Sequence, residues 1–155
     1  MWNFKDDLIE GKEMEVKVMN LLNENWFNLI QNPNEKEMDL LIINEWIEVK
    51  SDKYAKHSWN FYIEFECNWK PSWLLRDERV VLKYWAHSDW ERLFLLDWFK
   101  FTKLVLEKIE LCRDNKSNTS KGFRVVENWG NWWRTKGLLF PVEEMAKVAT
   151  FTYNL

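Results

Sequence analysis

Three side chains in the first third of the chain have the types and spacing for metal-assisted chemistry on a phosphate. They lie in the run Met38-Asp39-Leu40-Leu41-Ile42-Ile43-Asn44-Glu45-Trp46-Ile47-Glu48-Val49-Lys50. In an extended strand alternate residues share a face. Glu48 and Lys50 then point one way, and Ile47 and Val49 point the other way into a core. If the apolar run before them returns antiparallel, Asp39 comes to lie beside Glu48. Two carboxylates on adjacent strands suit a hard cation such as Mg2+, with Mn2+ as a substitute. The main-chain carbonyl of Val49 is a further oxygen for that cation. An ammonium at Lys50 is placed to orient an attacking water and to offset charge on a phosphate. Nothing nearby suits covalent catalysis. The same pattern also arises in a solvated surface hairpin. Two details favour the chemical reading: Asp39 interrupts an otherwise apolar run, and Glu48 directly follows a core position.

The elements that must carry these residues can be read from periodicity. Residues 5–24 have helical spacing of Leu8, Met14 or Glu15, Val18, Leu21 and Leu22, with acids near the start. A short strand is expected over 27–30 and a turn over 31–34 around Pro33. Residues 36–43 and 46–50 read as a hairpin joined around Asn44-Glu45. Residues 51–59 are a polar connection, 60–66 (NFYIEFE) an alternating strand, and 67–72 a turn. A short helix over 73–77 then leads into a strand over 79–86. A strand over 92–96 precedes a helix over 97–110 with Asp97 as its N-cap. Residues 113–121 (RDNKSNTSK) are a polar loop. Strands over 123–127 and 138–140 and a last helix from Pro141 close the chain. The order predicts one mixed α/β domain over residues 1–155 with a central sheet.

Composition narrows the function classes. A chain of 155 residues, 46% hydrophobic and 30% charged, is that of an ordinary globular domain. It has no apolar run long enough for a transmembrane helix. The polar start, MWNFKDDLIEGKE, lacks a signal-peptide core. A cytoplasmic protein without membrane partners is expected, in the host cell if the gene is a phage's. Cys67 and Cys112 fit no metal spacing and are expected to be free thiols, and two histidines leave little for a zinc site. A net charge of −3 argues against nonspecific coating of nucleic acid, but is compatible with an acidic metal site.

Local motifs on both sides of the hairpin resemble the PD-(D/E)xK nuclease superfamily, and within it small phage-encoded and Holliday-junction-resolvase-like members. These motifs are Glu48-Val49-Lys50-Ser51-Asp52, Ile63-Glu64-Phe65-Glu66, Lys70-Pro71-Ser72 and Leu138-Leu139-Phe140-Pro141-Val142-Glu143-Glu144. The resemblance spans about residues 8 to 146. It implies a restriction-endonuclease-like central mixed sheet flanked by helices, and Mg2+-dependent hydrolysis of DNA. It also implies a homodimer, because two strands must be cut. The first helix of that superfamily contributes a further carboxylate. Glu15 is the best match, with Glu13 as the fallback. The superfamily's proline before the aspartate is absent, since Met38 stands there. The rival reading is a non-catalytic DNA-binding or interaction protein that keeps the fold.

Lys53, Lys56 and Lys70 flank the hairpin motif and are candidates for DNA-backbone contacts; a solvated polar loop is the alternative. Ser58 and Asn60 are candidates for phosphate contacts or for turn formation. His57 reads as a solvated loop residue and His87 as a surface residue. Twelve tryptophans stand against four glycines, where about eleven glycines would be usual at ~7%. Several tryptophans fall where a turn wants positive φ, as in Asn68-Trp69-Lys70 and Ser88-Asp89-Trp90-Glu91. Trp26, Trp46 and Trp129 follow Asn or Glu near expected breaks, and Trp59, Trp69 and Trp73 stand where the superfamily pattern has glycine. Either this lineage packs many indoles, or these positions are glycine in a code that reads UGA as glycine.

Overall fold

The computed structural model describes residues 4–25, 27–31, 39–42, 45–72, 74, 82–114, 122–130 and 133–155. The chain order is α1 (Phe4–Glu24), β1 (Leu29–Gln31), β2 (Leu40–Ile42), β3 (Glu45–Ser51), α2 (Ala55–Ser58), β4 (Asn60–Cys67), β5 (Lys70–Pro71) and β6 (Leu82–Ser88). It continues with β7 (Arg92–Asp97), α3 (Trp98–Asp114), β8 (Arg124–Trp129), β9 (Arg134–Pro141), α4 (Val142–Val148) and β10 (Phe151–Asn154). The class is mixed α/β, as expected. The strands form two sheets rather than one, because β4 pairs with β9 instead of rejoining β3. Contacts gather into two compact units. One comprises Met1–Lys53, Val80–Trp98 and Ala149–Leu155; the other comprises Tyr54–Arg79 and Phe99–Val148.

The first unit holds a sheet of order β1-β2-β3-β6-β7-β10. All its pairings are antiparallel except β3 with β6, which is parallel. A parallel pair cannot be closed by a tight turn, so the chain makes a long excursion between Ser51 and Leu82. Helix α1 packs because Met14, Val18 and Leu22 recur at intervals of four and share one face. They bury against Leu29, Leu40, Ile47, Val49, Ala86, Leu93 and Leu95. Full burial of each such side chain stabilises by roughly 1.5–3 kcal/mol. The 5–24 helix and the hairpin at 40–51 therefore form where periodicity placed them. Strand β10 was not expected: its FTYN alternation is only four residues long, and the strand is held by pairing with β7.

The second unit holds an antiparallel sheet of order β5-β4-β9-β8. Phe61, Ile63 and Phe65 bury one face of β4, as the alternation in NFYIEFE requires. In α3 the residues Phe101, Val105, Ile109 and Cys112 are buried at helical spacing. Phe140 of β9 meets Phe123 edge-to-face at 4.9 Å and Phe101 at 5.8 Å. Helix α3 begins after Asp97 and runs to Asp114, so Arg113 belongs to a helix rather than to the expected loop. The polar connection over 51–59 contains the short helix α2. Residues 115–121 of the expected loop, 32–34 of the expected turn, and Trp26, Trp73 and Trp132 lie outside the described residues. So do 73 and 75–77 of the expected short helix. Cys67 and Cys112 are free. Among the described residues no helix is long and apolar enough to cross a membrane.

Candidate functional site

The hairpin β2–β3 brings the first two candidate residues together. Its register pairs Leu40 with Ile47. One step further, Asp39 falls opposite Glu48, and Asp39 Oδ2 accepts the backbone N–H of Val49 at 2.7 Å. The contact to Val49 is thus made through its amide. Ile47 and Val49 face the α1 core, so alternation sends Glu48 and Lys50 to the other face. The Lys50 ammonium forms an ion pair with Glu48 Oε1.

Glu48 is only 3% exposed. Burial pushes its carboxyl above the ordinary range. Lys50 acts against that shift, while the charges of Asp39 and Glu15 add to it. Burial likewise raises the Asp39 carboxyl, opposed by Lys50, by the Val49 amide and by Lys12. Asp39, Glu48, Lys50 and Glu15 therefore share one electrostatic neighbourhood in which negative charge is under-compensated. Oxygen donors of this kind fit a hard divalent cation, which would restore the missing positive charge. Among the described residues no three His, Cys, Asp or Glu side chains converge as a ready-made metal cage.

The parallel strand β6 adds two residues that sequence reasoning missed. Its register sets Trp85 beside Glu48 and His87 beside Lys50. The Trp85 ring centroid lies 5.9 Å from Lys50 Nζ, and the ring stacks on Trp98 at 5.4 Å and 24°. Trp85 Nε1 donates to His87 Nδ1 at 3.1 Å. His87 is 2% exposed, which corrects the expectation of a surface residue. Burial, helped by the Lys50 ammonium, lowers its pKa to about 3, so the ring is neutral at pH 7. The expectation failed because β6 is an inner strand of the sheet whose two faces are both covered at this end. The uninterrupted burial of residues 85–89 carries that signature.

The remaining candidates are spread over both units. Lys53, in the unit that holds the hairpin, forms an ion pair with Glu10 at 2.7 Å. Lys56, Ser58, Asn60 and Lys70 belong to the other unit. Lys56 and Lys70 are exposed. Ser58 and Asn60 bond to each other across Trp59: Ser58 Oγ donates to the Asn60 carbonyl at 3.0 Å, and Asn60 Nδ2 donates to the Ser58 carbonyl at 2.7 Å. That is turn-forming chemistry. Glu66 is drawn into an ion pair with Arg134, which also pairs with Glu127. His57 is exposed, on α2. Compared with protein-family models, curated proteins and solved structures, the chain matches none.

Proposed function

We propose that this protein is a Mg2+-dependent DNA endonuclease built on a restriction-endonuclease-like arrangement, with Asp39, Glu48, Lys50 and Glu15 as its site. The observation that carries the reading is the pairing of a buried carboxyl, Glu48, with a half-buried one, Asp39, across one hairpin beside the ammonium of Lys50. Burying negative charge costs stability unless something compensates it. A site that accepts this cost at two adjacent positions, with one lysine to offset it, is organised for a cation that arrives later. Asp39 and Glu48 would hold Mg2+, with the Val49 carbonyl as a further oxygen and Glu15 as an outer carboxylate. The ion would supply positive charge to the scissile phosphate. Lys50 would hold the attacking water in line and donate to a phosphate oxygen. His87 is neutral beside Lys50, so it adds no positive charge to that of the Lys50 ammonium. Branched DNA cut by a homodimer is the substrate and assembly implied by the resemblance.

The test is cleavage of four-way-junction and linear duplex DNA in Mg2+ and in EDTA. Wild-type protein is expected to cut in Mg2+ alone, while Asp39→Asn and Lys50→Ala lose on the order of 10²-fold or more in rate. Cleavage that survives both substitutions unchanged overturns the assignment. DNA binding without any cleavage selects the rival reading of a non-catalytic DNA-binding protein.

A further inference from the structure

Among the described residues, four non-glycine residues have positive φ: Trp59 (58°), Asn68 (48°), Trp69 (66°) and Trp90 (73°). Asparagine visits this region readily. A bulky residue does not, because Cβ then crowds the backbone carbonyl. Three tryptophans in it, in a chain with twelve tryptophans and four glycines, need a common cause.

Each of the three occupies a different kind of turn, and each kind has its own stereochemical demand for glycine. Trp59 ends helix α2 in the left-handed conformation, φ 58° and ψ 20°, its N–H bonded to the Ala55 carbonyl at 2.8 Å. That is the position where helices most often place glycine. Trp69 is the second residue of the two-residue loop joining β4 to β5, closed by the pair Cys67 and Lys70. Both loop residues have positive φ, which defines a type I′ turn, and Asn-Gly is its preferred pair. The sequence reads Asn68-Trp69. Between β6 and β7, Trp90 is the first of the two residues enclosed by Asp89 and Arg92, which are linked by a bond from Asp89 N to Arg92 O at 3.1 Å. Positive φ at the first loop residue alone is the type II′ pattern, which takes glycine there.

Two of the three indoles gain little burial at these positions. Trp59 is 66% exposed and Trp69 is 70% exposed. The Trp69 ring lies 3.5 Å from the Arg134 guanidinium, whose charge Glu66 and Glu127 already meet. Trp90 is better housed, packing at the edge of the α1 core and lying 5.4 Å from Lys17 Nζ. By contrast Trp85 is buried, stacks on Trp98, and sits in ordinary strand backbone.

We propose that the polypeptide made in the organism encoding this gene carries glycine at positions 59, 69 and 90, the codons there being UGA read as glycine. The backbone of these turns is then a glycine backbone, and the tryptophans are a product of reading the gene in the wrong code.

Two measurements test this. In the coding sequence, UGA is expected at all three positions, and UGG there overturns the proposal. In the protein as given, Trp59→Gly, Trp69→Gly and Trp90→Gly are each expected to shift the folding equilibrium toward the native state a few-fold. The triple variant is expected to gain about tenfold or more, read by urea denaturation. Trp90→Gly is expected to gain least, because its ring packs. Trp59→Ala and Trp69→Ala separate backbone strain from the mere loss of an exposed ring. Alanine removes the indole but keeps the strained φ, so these variants are expected to gain much less than glycine. Alanine equalling glycine, or a triple glycine variant no more stable than the starting chain, overturns the proposal.

Discussion

Asp39, Glu48 and His87 each have a pKa that burial has shifted, and each shift is a statement about stability. The two carboxyls have folded-state pKa values above their unfolded ones. Their favourable contribution is present below the unfolded pKa, near pH 4, and is lost as pH rises through the folded value. At neutral pH they are therefore a liability. Glu48→Gln is expected to raise the melting temperature of the metal-free protein by a few degrees. In the wild type, added Mg2+ is expected to raise it as well, and in Glu48→Gln that response should disappear. Calorimetry with and without Mg2+ checks both. His87 runs the other way, since its folded pKa is lowered to about 3. Its contribution is present above the unfolded value of about 6.5 and is lost as pH falls toward 3. Wild type is expected to lose about 1.4 kcal/mol per pH unit relative to His87→Gln across that window. Parallel slopes of stability against pH for the two proteins would defeat this.

At the scale of elements, the β6–β7 hairpin is pinned by one buried residue. Asp89 is fully buried. Its Oδ1 accepts the amides of Glu91 and Arg92 at 3.1 and 2.6 Å. Its Oδ2 accepts Arg92 Nε and Nη2 at 3.0 and 2.7 Å. Two turn amides and the Arg92 guanidinium are thus directed at this carboxylate, while the Trp90 N–H donates to Ser88 Oγ at 2.9 Å. Asp89→Ala is expected to destabilise by about 3 kcal/mol, by analogy with removing one partner of a buried pair. Urea denaturation measures it, and a loss below about 1 kcal/mol would show that the turn holds without the carboxylate. The hairpin matters to the proposed site because β6 carries Trp85 and His87 beside Glu48 and Lys50. The Ser88-Asp89-Trp90-Glu91 turn was legible in the sequence from its residue types. The burial of Asp89 was not, since an aspartate reads as a solvated turn residue until its four donors are placed around it.

For the whole molecule, the net charge of −3 bears on how the proposed DNA substrate would be held. In the proposed reading, affinity would come from a few phosphate contacts and the metal rather than from overall charge. Lys53, Lys56 and Lys70 are three such candidates. The slope of log affinity against log salt is expected to be shallow, near −3 for three neutralised phosphates at about −0.9 each. Lys56→Ala and Lys70→Ala should each reduce it by about one. Fluorescence-anisotropy titrations over a salt series measure this, and slopes unchanged by both substitutions would remove these lysines from the interface.

The local pattern alone determined the elements closest to the proposed site. Period-four burial in residues 14–22 set α1, the apolar run interrupted by Asp39 set the hairpin with Glu48 and Lys50, and Asn68-Trp69 and Asp89-Trp90 marked turns. These features are local because they depend on backbone period and on the φ a turn requires, both of which short windows encode. The tertiary structure alone decided that β3 pairs in parallel with β6, that His87 and Trp85 stand beside Lys50, that β4 leaves the first sheet for a second, and that β10 closes the edge of the first. Each of those depends on which strand meets which across dozens of residues, and pairing energy is carried by partners that no local window contains.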